Sequence, residues 1–448
     1  MKRILLYPSI TNLPDPEADT YLCFLRKMIF SMSLVRNDIY WYCLIPRYRD
    51  EHEDKTRLMK KMLRFTNTKH IDIMTPAPPA SKGNVDYQEL KKIKWQDYAI
   101  DSVFLNLPQQ ATDLQTYLAD YSNLNPSFFG FTHFQDYPNV MQCSSLFRMN
   151  MVGILDMDVC YINTQSQKDQ MIEQAGRTFN INFIRKLNKI IKVFPTPTLP
   201  VKTEKTTIFD HDPLRIVVFN HQPDKEKSFP LFCAAIEELW MKRKDFRVWV
   251  PFYAKRRIPF EWMITDIPKE TKKEYYYGLG RCCVGVSPKQ TGGNWTVSTA
   301  DGLLSGLPYI LYDDQAYKQL NPGADIYKNR RQLNKLISFY LDNSEYRNKK
   351  VKEGLSYVHN NFMYEEIVQD ISDQIDFHYQ SQKKIISATA RQLAALIKKE
   401  KSITHRSLLK KMVWDSSIKF NGYRRYILDD KQIKEESDNW RSVYIKTE

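Results

Sequence analysis

No apolar run in this chain approaches the ~20 residues that a membrane-spanning helix needs. The opening segment, MKRILLYPSITN, is too short in apolar length for a secretory signal. Cysteine is scarce and unpatterned. The seven residues (Cys23, Cys43, Cys143, Cys160, Cys233, Cys282 and Cys283) are odd in number and include no C-x-x-C spacing, which argues against a disulfide framework and a zinc site. The cytoplasm is therefore the expected compartment. No other His/Cys/Asp cluster has metal-ligand spacing, and Asp156-Met157-Asp158 reads as the lead-in to a strand rather than as a D-x-D metal site. No internal repeat or low-complexity segment is present, so the chain is expected to build ordinary domains.

Positive charge is abundant. Of 448 residues, 66 are Lys or Arg against 52 Asp or Glu, a net charge of +14, and 42% are hydrophobic, enough for two or three cored domains. The excess is uneven: the last 66 residues, Lys383–Glu448, hold 16 basic and 8 acidic side chains. Such asymmetry points to a polyanionic partner, either nucleic acid or an anionic membrane surface.

Strand and helix signals alternate through two stretches. Ile4–Tyr7, Ile39–Ile45, His70–Met74, Ser102–Asn106, Phe128–Phe131 and Val159–Asn163 read as strands, with helices over Ala18–Leu34 and, capped at Thr164, over Gln165–Gly176. The proline-rich polar run PTPTLPVKTEKTTIFDHD reads as a linker. Beyond it, strands are expected at Leu214–Phe219, Phe246–Val250, Cys282–Gly285 and Tyr309–Tyr312, and helices at Phe229–Lys242, Arg331–Leu341, Ser344–Asn361 and Tyr364–Tyr379. Alternation of this kind predicts an α/β fold with open parallel sheets. The expected units are residues 1–195, a linker at 196–212, a second domain at 213–363, a helix at 364–382, and a basic module at 383–448. Within that module Ser387–Lys399, a segment capped at Thr404, and Ile418–Leu428 read as three short helices, a helix-turn-helix-like pattern.

Three strand-end segments carry candidate chemistry. GGNWTVSTADGLLSGLPYIL, from Gly292 to Leu311, places a helix start near Val297–Ser298, whose unpaired N–H groups suit an anion. FNHQPDKEKSF follows the strand at Leu214–Phe219, where open α/β sheets bind ligands. FFGFTHFQDYP sets His133 and Asp136 three residues apart at another strand end, an imidazole and a carboxylate suited to general-base work. In the tail, Arg406, Lys410, Lys411, Lys419, Arg424 and Arg425 alternate with Trp414, Phe420, Tyr423 and Tyr426, a pattern that neutralises phosphates and stacks on bases. The plain alternatives are a βα unit of any α/β sheet, a packed histidine and a solvated basic tail.

The Gly292–Leu311 layout resembles the nucleotide-sugar half of GT-B-fold glycosyltransferases, whose signature is Glu-x7-Glu followed by a Gly-x-Pro break. Asp301 stands at the second Glu, seven residues before Pro308, and Gly293 at the first. The ordering of motifs resembles bacteriophage DNA glycosyltransferases, which modify a hydroxylated pyrimidine. The resemblance implies a GT-B-like fold of two Rossmann-type domains, with residues 364–382 packing back across their junction. It implies a UDP-sugar donor with no required cofactor or metal, and a modified base in duplex DNA as acceptor. Carried over, it makes His133 the catalytic base with Asp136 second. Asn220, His221, Lys225, Lys227, Trp295, Ser298, Asp301 and Gly302 become donor contacts, with Gln222 neutral where related enzymes carry Arg. Two rivals remain: a GT-B enzyme acting on surface polysaccharide or a lipid-linked acceptor, and a non-enzymatic nucleotide-sensing DNA-binding protein.

Overall fold

A computed structural model describes residues 1–7, 20–47, 53–74, 87–132 without 123, 144–194, 215–265 without 222, 224–227 and 252–259, 272–289, 297–381 without 322 and 365–367, and three tail strands. The expected linker at 196–212 lies outside them, as do the tail helices apart from Thr404.

The first sheet is built from β1 (Lys2–Tyr7), β2 (Ile39–Arg47), β3 (Thr68–Met74), β4 (Ser102–Leu105), β5 (Ser127–Thr132), β6 (Val159–Ile162) and β7 (Ile191–Val193), in the order β3-β2-β1-β4-β5-β6-β7. All its pairings are parallel. SVFL, SFFGFT and VCYI are buried along their whole length, as expected where helices cover both faces of a sheet. One face packs Leu22, Leu25, Met28 and Met32 of the Thr20–Val35 helix on Ile4 and Leu6, and the other packs Leu114, Leu118, Phe147 and Met151 on Leu5 and Val103. Gly130 packs closely under Met157, whose flexible end would have to shift to admit a Cβ, since its methyl would lie 2.8 Å away.

The second sheet contains β8 (Arg215–Val218), β9 (Phe246–Trp249), β10 (Met263–Ile264), β11 (Val284–Ser287), β12 (Tyr309–Tyr312) and β13 (Asp325–Tyr327), in the order β10-β9-β8-β11-β12-β13. It too is parallel throughout. Both sheets thus reverse their winding beside their first strand, at β1/β4 and at β8/β11, the switch points where such sheets open a crevice. The expected strand at Cys282–Gly285 begins two residues later. The Cys282 N–H still closes the preceding helix onto the Leu279 carbonyl, and the Cys283 N–H is the first to reach β8, at Ile216.

Residues 368–381 form a helix that buries Val368, Ile371 and Ile375 in the core of the first sheet. Each such side chain contributes about 1.5–3 kcal/mol relative to exposure. Tyr364 joins them, its hydroxyl donating to the Phe24 carbonyl at 3.1 Å. Charge adds direction: the Arg36 guanidinium donates to Ser372 (2.5 Å) and Asp376 (3.1 Å) while also pairing Asp38, and Lys2 reaches Asp38 (2.9 Å) and Asp376 (2.5 Å).

The described tail residues are strands, β14 (Ser402–Thr404), β15 (Ile433–Glu436) and β16 (Tyr444–Thr447), in an antiparallel sheet of order β14-β16-β15. The reading of the tail as three helices did not foresee them. Thr404, expected to cap a helix, ends β14. Segments of three or four residues, one of them paired across about 40 residues of sequence, carry no local signal that separates them from loop. Among the described residues no helix is long and apolar enough to cross a membrane.

Candidate functional site

The crevice of the second sheet is built on the exits of β8 and β11. The chain leaves β8 as Phe219-Asn220-His221 and β11 as Pro288-Lys289, and the Val297–Leu304 helix starts above them. That start has no acidic residue in its first turn, so its unpaired N–H groups and partial positive charge are not neutralised from within.

Asn220 is 0% exposed, and both ends of its amide are occupied. Its Nδ2 donates to the Ser298 carbonyl at 2.7 Å and to the Tyr275 hydroxyl at 3.3 Å, and its Oδ1 accepts from the Tyr309 hydroxyl at 3.0 Å. Tyr309 also reaches the Ser298 carbonyl, at 3.3 Å. One side chain at the strand exit therefore joins the helix start to two buried tyrosines. His221 is buried as well. Its Nε2 lies 3.4 Å from Ser287 Oγ, which lies 2.6 Å from Thr299 Oγ1 on the helix.

The tyrosines remain neutral. Burial pushes the Tyr275 and Tyr309 hydroxyls well above their ordinary range, and the Asp301 carboxylate adds to it in both. Tyr276 is raised by burial and then by Asp301, to which its hydroxyl is hydrogen-bonded, and it also feels Cys23 on the Thr20–Val35 helix of the first sheet. Asp301 is thus half-buried close to the hydroxyls of Tyr275, Tyr276 and Tyr309.

Gly302 has a packing reason. A Cβ at that position would stand 2.0 Å from the Tyr309 hydroxyl, and one at Gly285 would stand 2.5 Å from the same ring. The Tyr309 ring fills the space between strand and helix, and both glycines admit it. The helix ends at Gly306, whose φ of +83° is the left-handed conformation that glycine adopts without cost, and Pro308 follows.

Of the sequence-predicted donor residues, the structure brings Asn220, His221, Ser298, Asp301 and Gly302 together at one switch point. It places Asn220, His221 and Gly302 beneath the helix, as its supports, rather than on an open surface. Lys225, Lys227, Trp295 and Gln222 lie outside the described residues. His133 and Asp136, which follow the last residue of β5, lie outside them too, as do Arg406, Lys410, Lys411, Lys419, Arg424 and Arg425. Sequence reasoning passed over Ser287, Thr299, Tyr275, Tyr309 and Lys289. The exposed Lys289, two residues past β11, has its Nζ 6.0 Å from the Tyr312 ring centre and acts electrostatically on half-buried Asp314. Its signal was position alone, a lysine at the exit of a strand bordering the switch point.

Asp156 and Asp158 stand at the amino end of β6, the end opposite the crevice. Asp156 accepts from Thr112 Oγ1 at 2.6 Å and Asp158 from the Phe128 N–H at 2.8 Å, which are structural partnerships. The described residues contain no group of three or more metal-ligating side chains. The two domains touch where the Ser166 N–H donates to Gln319 Oε1 at 3.3 Å.

No sequence family and no curated protein sequence matches this chain. Solved structures do match it in shape. The N-terminal domain of trehalose-6-phosphate phosphatase from Candida albicans superposes with a TM-score of 0.61 at 12% identity, over 84% of this chain and 97% of that one. The trehalose-6-phosphate synthase OtsA gives 0.61 at 11%, over 84% and 99%. HepE of Anabaena, solved in complex with UDP, gives 0.58 at 11%, over 84% and 100%. At these identities the likeness is one of fold: two Rossmann-like parallel-sheet domains in the GT-B arrangement.

Proposed function

We propose that this chain is a glycosyltransferase that takes its sugar from a UDP-sugar held on the second sheet. The observation that carries the reading is the start of the Val297–Leu304 helix, pinned over the β8/β11 switch point by the Asn220 bond to Ser298. It lies in a fold shared with HepE, which binds UDP, and with trehalose-6-phosphate synthase. The helix N–H groups would receive the donor diphosphate, Lys225, Lys227 and Lys289 would add charge, and Asp301 would face the ribose or the sugar. The acceptor hydroxyl gives its proton to His133 or Asp136 and attacks the anomeric carbon. The bond from that carbon to the diphosphate oxygen breaks, and UDP leaves with its charge spread over the helix start.

For the acceptor we propose a hydroxylated pyrimidine base in duplex DNA. The support is the concentration of basic residues after Lys383, interleaved with aromatics. A base inside a duplex must leave the stack, at a cost of a few kcal/mol, before its hydroxyl can reach the crevice. A carbohydrate acceptor is the second reading, favoured by the fold shared with a Burkholderia xenovorans trehalose-phosphate synthase solved with glucose-6-phosphate.

The test is direct. The protein is incubated with UDP-sugars and either hydroxymethylated DNA, unmodified DNA or sugar phosphates, and products are read by mass spectrometry. A glycosylated nucleoside from hydroxymethylated DNA alone is expected. Transfer only to a sugar phosphate refutes the DNA acceptor. Stabilisation by GDP or ADP beyond that by UDP refutes the donor assignment, since ligand binding raises stability by mass action.

A further inference from the structure

We infer that His221 is a positioning residue, which orders the start of the Val297–Leu304 helix through Ser287 and Thr299 and thereby sets the affinity of the crevice for the donor diphosphate. The inference rests on the assignment of that helix start as the diphosphate site.

His221 is 3% exposed, Ser287 0% and Thr299 1%, so the three groups form a polar chain shut off from solvent. The imidazole Nε2 faces Ser287 Oγ at 3.4 Å, and that oxygen sits 2.6 Å from Thr299 Oγ1. A buried imidazole held in this way is placed to support the helix start from beneath. The chain also crosses the switch point, since His221 follows β8, Ser287 ends β11 and Thr299 belongs to the helix above both.

The pairing is consecutive. Asn220 and His221 are adjacent at the strand exit, and they hold Ser298 and Thr299, adjacent in the first helical turn, one directly and one through Ser287. The Ser298 carbonyl and the Thr299 N–H belong to one peptide plane. Asn220 fixes that plane at its oxygen, and the Ser287–Thr299 contact fixes the residue at its other edge. In a helix beginning at Val297, the N–H groups of 297 to 299 have no intrahelical partner. The plane held from both sides therefore aims one of the N–H groups an anion would use. Preorganised donors of this kind bind charge without reorganising at the moment it develops.

The experiment uses the full chain and reads two quantities. The first is amide hydrogen exchange in the ligand-free protein, and the second is UDP affinity by calorimetry. Ser287→Ala and Thr299→Val remove one oxygen each with little change of volume. Each is expected to speed exchange at residues 300–304, the first amides bonded within the helix, but not in β8 or β11, and to weaken UDP binding about five- to tenfold, the worth of one internal hydrogen bond. Because both cut the same chain, the double variant should bind UDP no worse than the weaker single variant. His221→Gln, which keeps a nitrogen donor within reach, should recover part of the loss suffered by His221→Leu, and Thr299→Ser part of that suffered by Thr299→Val. Unchanged exchange at 300–304 in Ser287→Ala or in His221→Leu, or fully additive losses in the double variant, overturns the inference. Wild-type protein that binds no UDP, with exchange at 300–304 still faster in both Ser287→Ala and His221→Leu, overturns the diphosphate assignment while upholding the ordering role of His221.

Discussion

Tyr309→Phe removes a single hydroxyl and leaves the ring that fills the space between Gly285 and Gly302. That hydroxyl donates to Asn220 Oδ1 at 3.0 Å and approaches the Ser298 carbonyl at 3.3 Å, in a site where Tyr309 is 2% exposed and Asn220 0%. The variant loses one buried hydrogen bond and strands the Asn220 oxygen, which accepts from no other group among the described residues. Leaving a buried acceptor unsatisfied costs about 1–3 kcal/mol, which for a unit of 150–250 residues corresponds to a fall of about 2–12 °C in melting temperature. Asn220→Ala should cost at least as much, since it also releases the Ser298 carbonyl and the Tyr275 hydroxyl. In that background the Tyr309 hydroxyl keeps only its longer contact with the Ser298 carbonyl, so the pair should show a coupling of about 0.5–3 kcal/mol in a double-mutant cycle. Urea titrations of the four proteins at neutral pH provide the measurement. A Tyr309→Phe protein within about 0.3 kcal/mol of wild type, or a cycle with no coupling, would refute the account of Asn220 as the joint between strand exit and helix start.

Gly302→Ala should destabilise by about 1–3 kcal/mol through overpacking, and Tyr309→Phe should relieve little of it, because ring carbons also lie 2.5 Å from the new Cβ; thermal melts of both proteins check this. Arg36→Met should lower stability at neutral pH and flatten its acid dependence. Arg36, then Lys2, holds Asp38 below the ordinary carboxylate range, and both cations do the same to Asp376 against the opposing effect of burial. A depressed carboxylate contributes stability above its unfolded pKa, near pH 4, and loses it as pH falls further. The wild-type advantage should therefore shrink below about pH 4, and since both carboxylates are over a third exposed it should be modest throughout; urea midpoints from pH 7 to pH 3 decide. Of His133→Ala and Asp136→Asn, whichever removes the base should lower turnover by about 10²–10⁴ with UDP affinity retained; wild-type rates in both would move the acceptor site elsewhere. Lys410→Glu with Lys411→Glu should lower the log–log salt slope of DNA binding by about 2 if both lysines touch phosphate; an unchanged slope would make the tail a solvated appendage.

Much of the element structure was legible locally. The helices Phe229–Lys242 and Ser344–Asn361 and the strand Tyr309–Tyr312 stand where periodicity put them. Thr164 caps the Gln165–Gly176 helix through its side chain, as a threonine ahead of an apolar-periodic run should. What escaped was short or shallow in signal. The three residues of β7, two of β10 and three of β13 are too few to show alternation, and each is defined by its partner strand. The Ile181–Ile190 helix passed unread although Asn180 caps it, its side chain accepting from the Phe183 N–H at 3.0 Å. At the site, Asp301 and Ser298 were found because they sit at fixed offsets from a Gly-Leu-Pro break. Ser287, Tyr275 and Tyr309 were not, because nothing in a strand-end serine or a core tyrosine marks it as a neighbour of a residue about 60 to 90 positions away.

The sequence by itself determined an α/β chain with two alternating units, a charge excess gathered at one end, and a helix start suited to an anion. These are local or additive properties, set by side-chain period, capping chemistry and the sum of charges. Only the tertiary structure decided the strand order, the burial of Asn220 and His221, and the reason for Gly302. Those depend on which strands lie side by side, a choice made by long-range packing of both sheet faces. β8 between β9 and β11 is what brings residues 221, 287 and 299 into one hydrogen-bonded chain.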